Sequence, residues 1–304
     1  TGLIVLKVSG GGTMELRNIA ERFQNLFPMI FRDCSYRLIT NKLLWVLVAI
    51  LMLPCALGLF VYYEFADDRL SENIDGETVY YTDDGSLLHE NLREMFLDLS
   101  QFFGMGFIAL LLGIMFSSEL ISEEYNNKTM QLFRTSPIHP LEILTYRYLS
   151  GVITGIVLLG LYSTIFYIIV MMGSGIHGIT EELSLLVLVI KITLLSWIGF
   201  LSIFCAINIY FERPYLICFI YWLLWEQIVS AQNYQQLTLS HYINSITYDA
   251  LVDMNWSVSA SDYGLVNSNN DTIATEPLLA TLIIVFISLL FLFVGSRGIA
   301  AKQF

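Results

Sequence analysis

Lys191 and Glu226 are the clearest charged residues deep inside the long apolar stretches of the sequence. Measured from the ends of those stretches, their depths differ by about 6 Å at the helical rise of ~1.5 Å per residue. An unpaired charge inside a bilayer costs roughly 2.5 to 3.5 kcal/mol, and such residues pair with one another or mark an ion pathway. We therefore expect an intramembrane polar pair of Lys191 and Glu226. Otherwise, Lys191 reaches outward and Glu226 caps a re-entrant turn.

Motifs for catalysis are absent from the sequence. A phosphate-binding P-loop needs Gly before its Lys, whereas the five lysines here follow Leu, Asn, Asn, Ile and Ala. No histidine has another four residues later, as a helical zinc site would require, and no Gly-x-Ser-x-Gly elbow occurs. We expect no enzyme activity, bound metal or cofactor in this chain.

A polar segment, residues 123–144, interrupts the apolar sequence near its middle. Ser122 followed by Glu123 and Glu124 is typical of a helix start, where a hydroxyl caps the first turn and acids complement the helix dipole. Pro137 and Pro140 end the element before the next apolar stretch. The sequence predicts a short helix over residues 122–134.

The predicted helix is amphipathic and would lie across the inner surface of the membrane. Spacing at i, i+4 and i+8 puts Tyr125, Thr129 and Phe133 on one face. Charged and polar side chains spread around the other faces.

The composition places these residues in a membrane protein. Of 304 residues, 56% are hydrophobic and 14% charged, and the mean hydropathy is +0.64, whereas soluble domains carry about a quarter charged residues. A helix needs roughly 20 apolar residues to cross a hydrocarbon core of about 30 Å. We predict an all-α membrane protein with six spans, at residues 43–63, 99–120, 143–172, 183–210, 215–231 and 278–294.

The distribution of charge predicts the orientation, because Lys and Arg concentrate on the cytoplasmic side. With the N-terminus in the cytoplasm, eleven basic residues lie inside and only Arg69 and Arg93 outside. The same topology puts most of the 27 acidic residues outside, so the net charge of -12 belongs to the exterior face and nucleic acid is not an expected partner. The eleven are Arg17, Arg22, Arg32, Arg37, Lys42, Lys128, Arg134, Arg147, Arg213, Arg297 and Lys302.

The ends of the chain differ in composition and residue spacing from the six-span domain at residues 42–296. Residues 1–13 are strand-like and then Gly-rich, and we interpret them as a leader or a cloning remnant ahead of Met14. Residues 14–41 repeat apolar side chains every three or four positions, as in an amphipathic helix on the inner leaflet or on a soluble partner. Residues 297–304 form a cytoplasmic tail.

Small residues recur on one face of the third predicted span. Gly151 and Gly155 are four residues apart, which permits close helix contact. We expect this face to pack inside one subunit and not to form a seam between subunits.

The polar segment resembles the permease subunits of type-2 ATP-binding-cassette exporters. That pattern places acids, a Thr, a Leu-rich turn, a Ser-Pro step and then Glu-Ile and a basic residue entering the next span. The resemblance extends over about residues 15 to 300. The matching residues are Glu123, Glu124, Lys128-Thr129, Leu132, Thr135-Ser136-Pro137, Glu142-Ile143 and Arg147.

The resemblance implies a half-transporter in the cell membrane with both termini in the cytoplasm. Two separate ATPase subunits would bind ATP and Mg²⁺, and residues 122–134 would be the coupling helix that docks on them, with apolar side chains as a small buried anchor and charged ones as a polar rim. The residues that we then expect to make contact are Glu123, Glu124, Tyr125, Lys128, Thr129, Met130, Phe133 and Arg134. A second permease copy or paralogue would complete the pathway, with the seam on the first, second and fifth spans. The motion would export a substrate or transmit force to a protein outside.

Two other functions compete with the exporter. An ion-coupled secondary transporter or channel would use Lys191 and Glu226 as its ion-linked groups, and a membrane scaffold would transport nothing. An ATPase that co-purifies with the chain distinguishes the exporter from both.

Overall fold

Helices form most of the structure, a computed structural model that describes residues 6–8, 12–14, 16–67, 70–74, 77–81, 88–101, 109–126, 139–211, 213–228, 234–266 and 271–301. The helices are α1 (Leu16–Thr40), α2 (Lys42–Asp67), α3 (Leu88–Leu99), α4 (Ala109–Asn126), α5 (Pro140–Met171), α6 (Gly175–Glu181), α7 (Leu183–Tyr210), α8 (Pro214–Tyr221), α9 (Leu239–Asp253) and α10 (Pro277–Ala301). The π-helix Trp222–Ile228 continues α8, and 3-10 turns occupy Met172–Ser174 and Gln235–Leu237.

Two short antiparallel hairpins accompany the helices. Leu6–Val8 (β1) pairs with Gly12–Met14 (β2), and Leu70–Ile74 (β3) pairs with Glu77–Tyr81 (β4). The second hairpin was not predicted, although its Asp-Gly dipeptide at positions 75 and 76 is a typical hairpin signal. The all-α prediction therefore describes the helical domain, and the hairpins are a correction to it.

The predicted spans are confirmed in part. Three described helical segments, Pro140–Ser174, Leu183–Tyr210 and Pro277–Ala301, are long and apolar enough to cross a membrane, in agreement with the third, fourth and sixth predicted spans. A fourth candidate is a pair, Phe23–Thr40 with Leu44–Phe60, bent by 62°. The described parts of the second and fifth predicted spans are shorter apolar helices, Leu110–Ile121 and Pro214–Glu226.

Helix α7 is the centre of the bundle. In its most apolar stretch of 18 residues 61% are buried, against 39% and 28% in the other two long apolar segments, and it packs against α4, α5, α8, α9 and α10. Its Trp197 is fully buried and meets Phe116 of α4 edge to face, with ring centroids 5.1 Å apart. A Cβ added at Gly155 would overlap the Trp197 indole, and one at Gly151 would lie 2.6 Å from Leu120. Gly151 and Gly155 therefore pack inside the subunit, as predicted.

Helix α1 packs along α5 with the apolar face that its spacing predicts. Cys34 and Leu38 are buried, and Ser35 Oγ lies 3.3 Å from Thr154 Oγ1 of α5. The opposite face is exposed at Met29 and Tyr36. The chain then bends at Asn41 before α2 begins.

The bundle has two ends, which we name by the residues where helices begin. The Pro140 end holds Asn41, the C-terminus of α4 and the N-terminus of α5. The Leu183 end holds α3, α6 and Trp256, which follows the C-terminus of α9. There Arg93 of α3 forms an ion pair with Glu182 at 3.1 Å and lies over the Trp256 ring, 4.4 Å from its centroid. These contacts join the start of α7, which crosses the bundle, to α3 and to the segment after α9, which do not.

Candidate functional site

One turn of α4 at the Pro140 end forms polar contacts with four neighbouring elements. Its residues are Ser117, Ser118, Glu119 and Leu120, and we call this turn the α4 junction. Successive helical residues point about 100° apart, so four of them face all directions around the axis. Each residue of the junction contacts a different element.

The two serines join α4 to α7 and α8. Asn208 of α7 donates from Nδ2 to Ser117 Oγ at 2.9 Å, and the same amide donates to the Phe204 carbonyl at 2.8 Å. Ser118 Oγ donates to the hydroxyl of Tyr215, at the start of α8, at 2.6 Å. Both serines and Asn208 are buried.

The next two residues join α4 to the α1–α2 bend and to α5. Asn41 Nδ2 donates to Glu119 Oε1. Arg147 of α5 is 5% exposed and donates from Nη1 to the Leu120 carbonyl at 2.9 Å. A guanidinium keeps its charge in proteins, so burying it here ties the α5 backbone firmly to the end of α4.

The groups of the junction are suited to holding helices together. Hydrogen bonds between neutral side chains of membrane helices contribute about 0.6 kcal/mol each on average, so the contacts of the two serines can be exchanged at small cost. No group of three or more His, Cys, Asp or Glu among the described residues could hold a metal ion. A displacement of the last turns of α4 would act through these contacts on five helices at once, which are α1, α2, α5, α7 and α8.

The predicted docking residues follow directly after the junction. The helix does not begin at Ser122, because α4 continues through Asn126. Ser122 is thus an interior helical residue and the predicted N-cap is wrong, since the preceding apolar turns are already helical. The backbone of Glu123, Glu124 and Tyr125 forms the end of α4. Lys128, Thr129, Met130, Phe133 and Arg134 lie outside the described residues.

The next helix, α5, has its own start signal. Pro140 occupies the first helical position, and His139 caps the helix, with Nδ1 accepting from the Leu141 N–H at 3.2 Å. Proline suits this position because it lacks an N–H and its φ is already helical. His139 and Pro140 therefore set where α5 begins.

The predicted pair of Lys191 and Glu226 is wrong. Lys191 is exposed on the surface of α7, while Glu226 is 1% exposed. The Glu226 carboxylate accepts hydrogen bonds from the backbone of Leu239 and Ser240, the Ser240 hydroxyl and the Tyr221 hydroxyl. The physical reason is that the first N–H groups of α9 lie beside the carboxylate and supply its partners, whereas Lys191 lies on the exposed surface of α7. The alternative, a cap on a re-entrant turn, describes this geometry.

Sequence reasoning missed most of the junction. It singled out Arg147 only as part of a family pattern, and it assigned no role to Asn208 or Tyr215. The signal was present as polar residues within or next to apolar spans, where each needs a partner in the bundle. Spacing alone could not name those partners, because the contacts join residues 27 to 97 positions apart.

Comparison with known families shows a match over most of the chain. A family described as "ABC-2 family transporter protein" matches residues 35–290, which includes the α4 junction, the connection after it and Glu226. No similar curated protein was found.

Proposed function

This chain belongs to the ABC-2 transporter family, and on that premise we propose that it is the membrane subunit of an ATP-driven exporter. Membership makes it a multi-pass membrane component of an ABC transporter, and permeases of this family are generally not catalytic themselves. In our proposal separate ATPase subunits bind ATP and Mg²⁺. Their closure moves the connection after α4, and the spans convert that movement into export of a substrate or into force on a protein outside.

The α4 junction is the observation that carries this proposal. A membrane subunit that is moved by ATPases on its cytoplasmic side needs one place where the displacement enters and from which it is transmitted to the spans. Four consecutive residues of α4, directly before the predicted coupling residues, contact α1–α2, α5, α7 and α8. This arrangement supports residues 122–134 as the point of entry.

The proposed orientation puts the Pro140 end in the cytoplasm. Eleven of the fifteen Lys and Arg residues belong to that side in the six-span topology, and the positive-inside rule then places both termini inside. The shorter helices Leu110–Ile121 and Pro214–Glu226 complete the six spans. The cell membrane is the location that this topology favours.

A second permease copy completes the proposed transporter. Helices α2 and α8 expose large apolar side chains, with Trp45 and Phe60 on α2 and Tyr215, Phe219 and Trp225 on α8. Aromatic side chains are enriched in the buried parts of interfaces. Buried positions dominate the described part of the second span, Leu110–Ile121, so we place the seam chiefly on the first and fifth spans. Monomeric particles that retain ATP-coupled activity would contradict this dimer.

Phe133→Asp tests the coupling role. If Phe133 is the apolar anchor in an ATPase groove, a carboxylate there loses the buried contact and must be desolvated to dock. We expect the permease to insert in the membrane normally, and the ATPase either to dissociate or to hydrolyse ATP without transport. Co-purification and ATP hydrolysis in nanodiscs measure the two effects.

Phe133→Leu is the matched control, since it retains an apolar side chain at the same position. It should preserve most ATPase binding. Equal ATPase recovery from Phe133→Asp and wild type, with full coupled activity, would remove this residue from the interface. Mass spectrometry of proteins that co-purify with the wild type tests the partner itself.

A further inference from the structure

The buried carboxylate of Glu226 lies where two short helices, α8 and α9, meet. It sits in the π-helix Trp222–Ile228 that continues α8, and it is 1% exposed. Oε1 accepts from the Tyr221 hydroxyl at 3.1 Å and from the Leu239 N–H at 3.2 Å. Oε2 accepts from the Ser240 N–H at 3.0 Å and the Ser240 hydroxyl at 2.7 Å. All four partners are donors, so the site suits an anion and offers no place for a cation.

The carboxylate completes the first turn of α9. A helix begins with N–H groups that have no partner inside the helix. Thr238 accepts from the His241 N–H at 3.3 Å, and Glu226 takes those of Leu239 and Ser240. The negative charge also complements the helix dipole. The start of α9 is therefore built partly from a residue of the preceding span.

Helix α9 is otherwise attached to the centre of the bundle. Leu239 is 2% exposed and packs against Gly199 of α7, where an added Cβ would lie 2.5 Å from it. His241 Nε2 lies 3.2 Å from Thr275 Oγ1, just before α10. Ile243 and Ile246 are buried along the same helix. Helix α9 therefore moves only if its packing on α7 and α10 allows it.

Helix α8 is held much more loosely. Between residues 214 and 228, the buried side chains among those described are Pro214, Cys218 and Glu226. Its polar contacts with the rest of the subunit lie near its ends. Tyr215 receives a hydrogen bond from Ser118 of the α4 junction. At the other end, Glu226 and Trp225 contact the start of α9 and the Leu237 carbonyl.

We propose that Glu226 is a positioning residue that couples α8 to α9, so that movement entering through the α4 junction reaches α9 through α8. Tyr215 and Glu226 are eleven residues apart, about 16 Å along a helix. A helix with polar contacts at both ends and few buried side chains between them can shift as one body. The inference rests on the proposed function for the origin of the movement, but the link itself is a property of this chain alone.

Amide hydrogen exchange on the full permease in nanodiscs, without ATPase, tests the link. In Glu226→Gln one carboxylate oxygen becomes an amide NH₂ group that faces donors. We expect at least about 10-fold faster exchange at the amides of Leu239 and Ser240. Ser240→Ala removes one donor and leaves the carboxylate in place, and it should give a smaller increase, about threefold. Glu276→Gln changes an exposed acid at the same end of the bundle and should leave the rate unchanged.

Spin-label distances in the complex with ATPase test the coupled movement. Labels at exposed Leu224 and Val252 report the α8–α9 distance, and labels at Leu224 and Leu289 report α8 against α10. On trapping with Mg-ATP and vanadate, we expect the first distance to stay constant in the wild type while the second changes. In Glu226→Gln the first distance should change as well.

The outcomes separate the two proposals. Unchanged exchange in Glu226→Gln, or an α8–α9 distance that changes in the wild type as much as α8–α10, overturns the role of Glu226. If no label pair responds to nucleotide in the wild type, the proposed function fails, and the exchange result still decides whether Glu226 joins α8 to α9.

Discussion

Two adjacent residues of α4 belong to regions that are held together in opposite ways. Phe116 packs edge to face on Trp197 at the centre of the bundle, where volumes interlock and glycine permits the contact. Ser117 begins the α4 junction, where polar side chains of modest strength make the contacts. A close-packed interior has essentially one arrangement, whereas hydrogen bonds of about 0.6 kcal/mol can be exchanged. The difference teaches where this bundle can change shape.

Gly155→Val should have the largest effect on stability, because it disrupts the packing around Trp197 at the centre of the bundle. The added side chain would overlap the Trp197 indole, which is fully buried and cannot move aside. We expect a loss of roughly 3 kcal/mol or more, seen as failure to insert or as early thermal unfolding in detergent. Gly160→Val lies on the same helix with nothing within 4 Å of its added Cβ, so it should behave as wild type. Similar unfolding of both variants would argue against a close-packed centre.

Arg147→Met should rank second, because it removes the charged contact of the junction. Loss of the hydrogen bond to the Leu120 carbonyl costs about 2 kcal/mol, and the α4 end is freed from α5. We expect a folded permease with impaired coupling of ATP hydrolysis. Arg147→Lys retains the charge without the planar guanidinium group, and its coupling should lie between that of the wild type and that of Arg147→Met. Thermal unfolding and ATPase stimulation measure stability and coupling separately, and full coupling in Arg147→Met would contradict the role of the junction.

Tyr215→Phe should have a small effect on stability. It deletes one hydroxyl bond, that with Ser118, and costs about 0.6 kcal/mol. Its effect on nucleotide-dependent exchange at the start of α9 should be larger, because α8 loses its contact with the α4 junction. The control is Tyr234→Phe, at a tyrosine that is 65% exposed. If Tyr215→Phe and Tyr234→Phe give the same exchange profile, α8 does not carry movement from the junction.

Mild acid should have the smallest effect on both regions, because its target, His241, lies in α9 outside the six proposed spans. Burial lowers the pKa of His241 below its ordinary value of 6.5. The unfolded state then binds more protons than the folded one as pH falls below about 6.5. Stability is therefore greatest above that pH and declines on acidification. Hydrogen exchange of α9 at pH 7.5 and 5.5 should show loosening, absent in His241→Asn, while exchange around Trp197 and Ser117 stays unchanged.

Much of the fold was predictable because crossing a membrane is a local requirement. An apolar run of sufficient length must be helical in lipid, since no water satisfies its backbone. The segments Pro140–Ser174, Leu183–Tyr210 and Pro277–Ala301 were therefore found from composition alone. The small face of Gly151 and Gly155 was also predictable, although its partners Leu120 and Trp197 were not.

The sequence by itself determined that this is a membrane protein, and the pattern from Glu123 to Arg147 pointed to the transporter family that the comparison then showed. Only the tertiary structure decided which polar residues meet. Glu226 contacts α9 and not Lys191, because the chain turns back after α8 and presents free N–H groups nearby. Ser118 finds Tyr215 across 97 residues for a similar reason. Hydropathy is an average over residues that are neighbours in sequence. A hydrogen bond instead needs two particular atoms within about 3 Å, and only the packing of the whole bundle sets that distance.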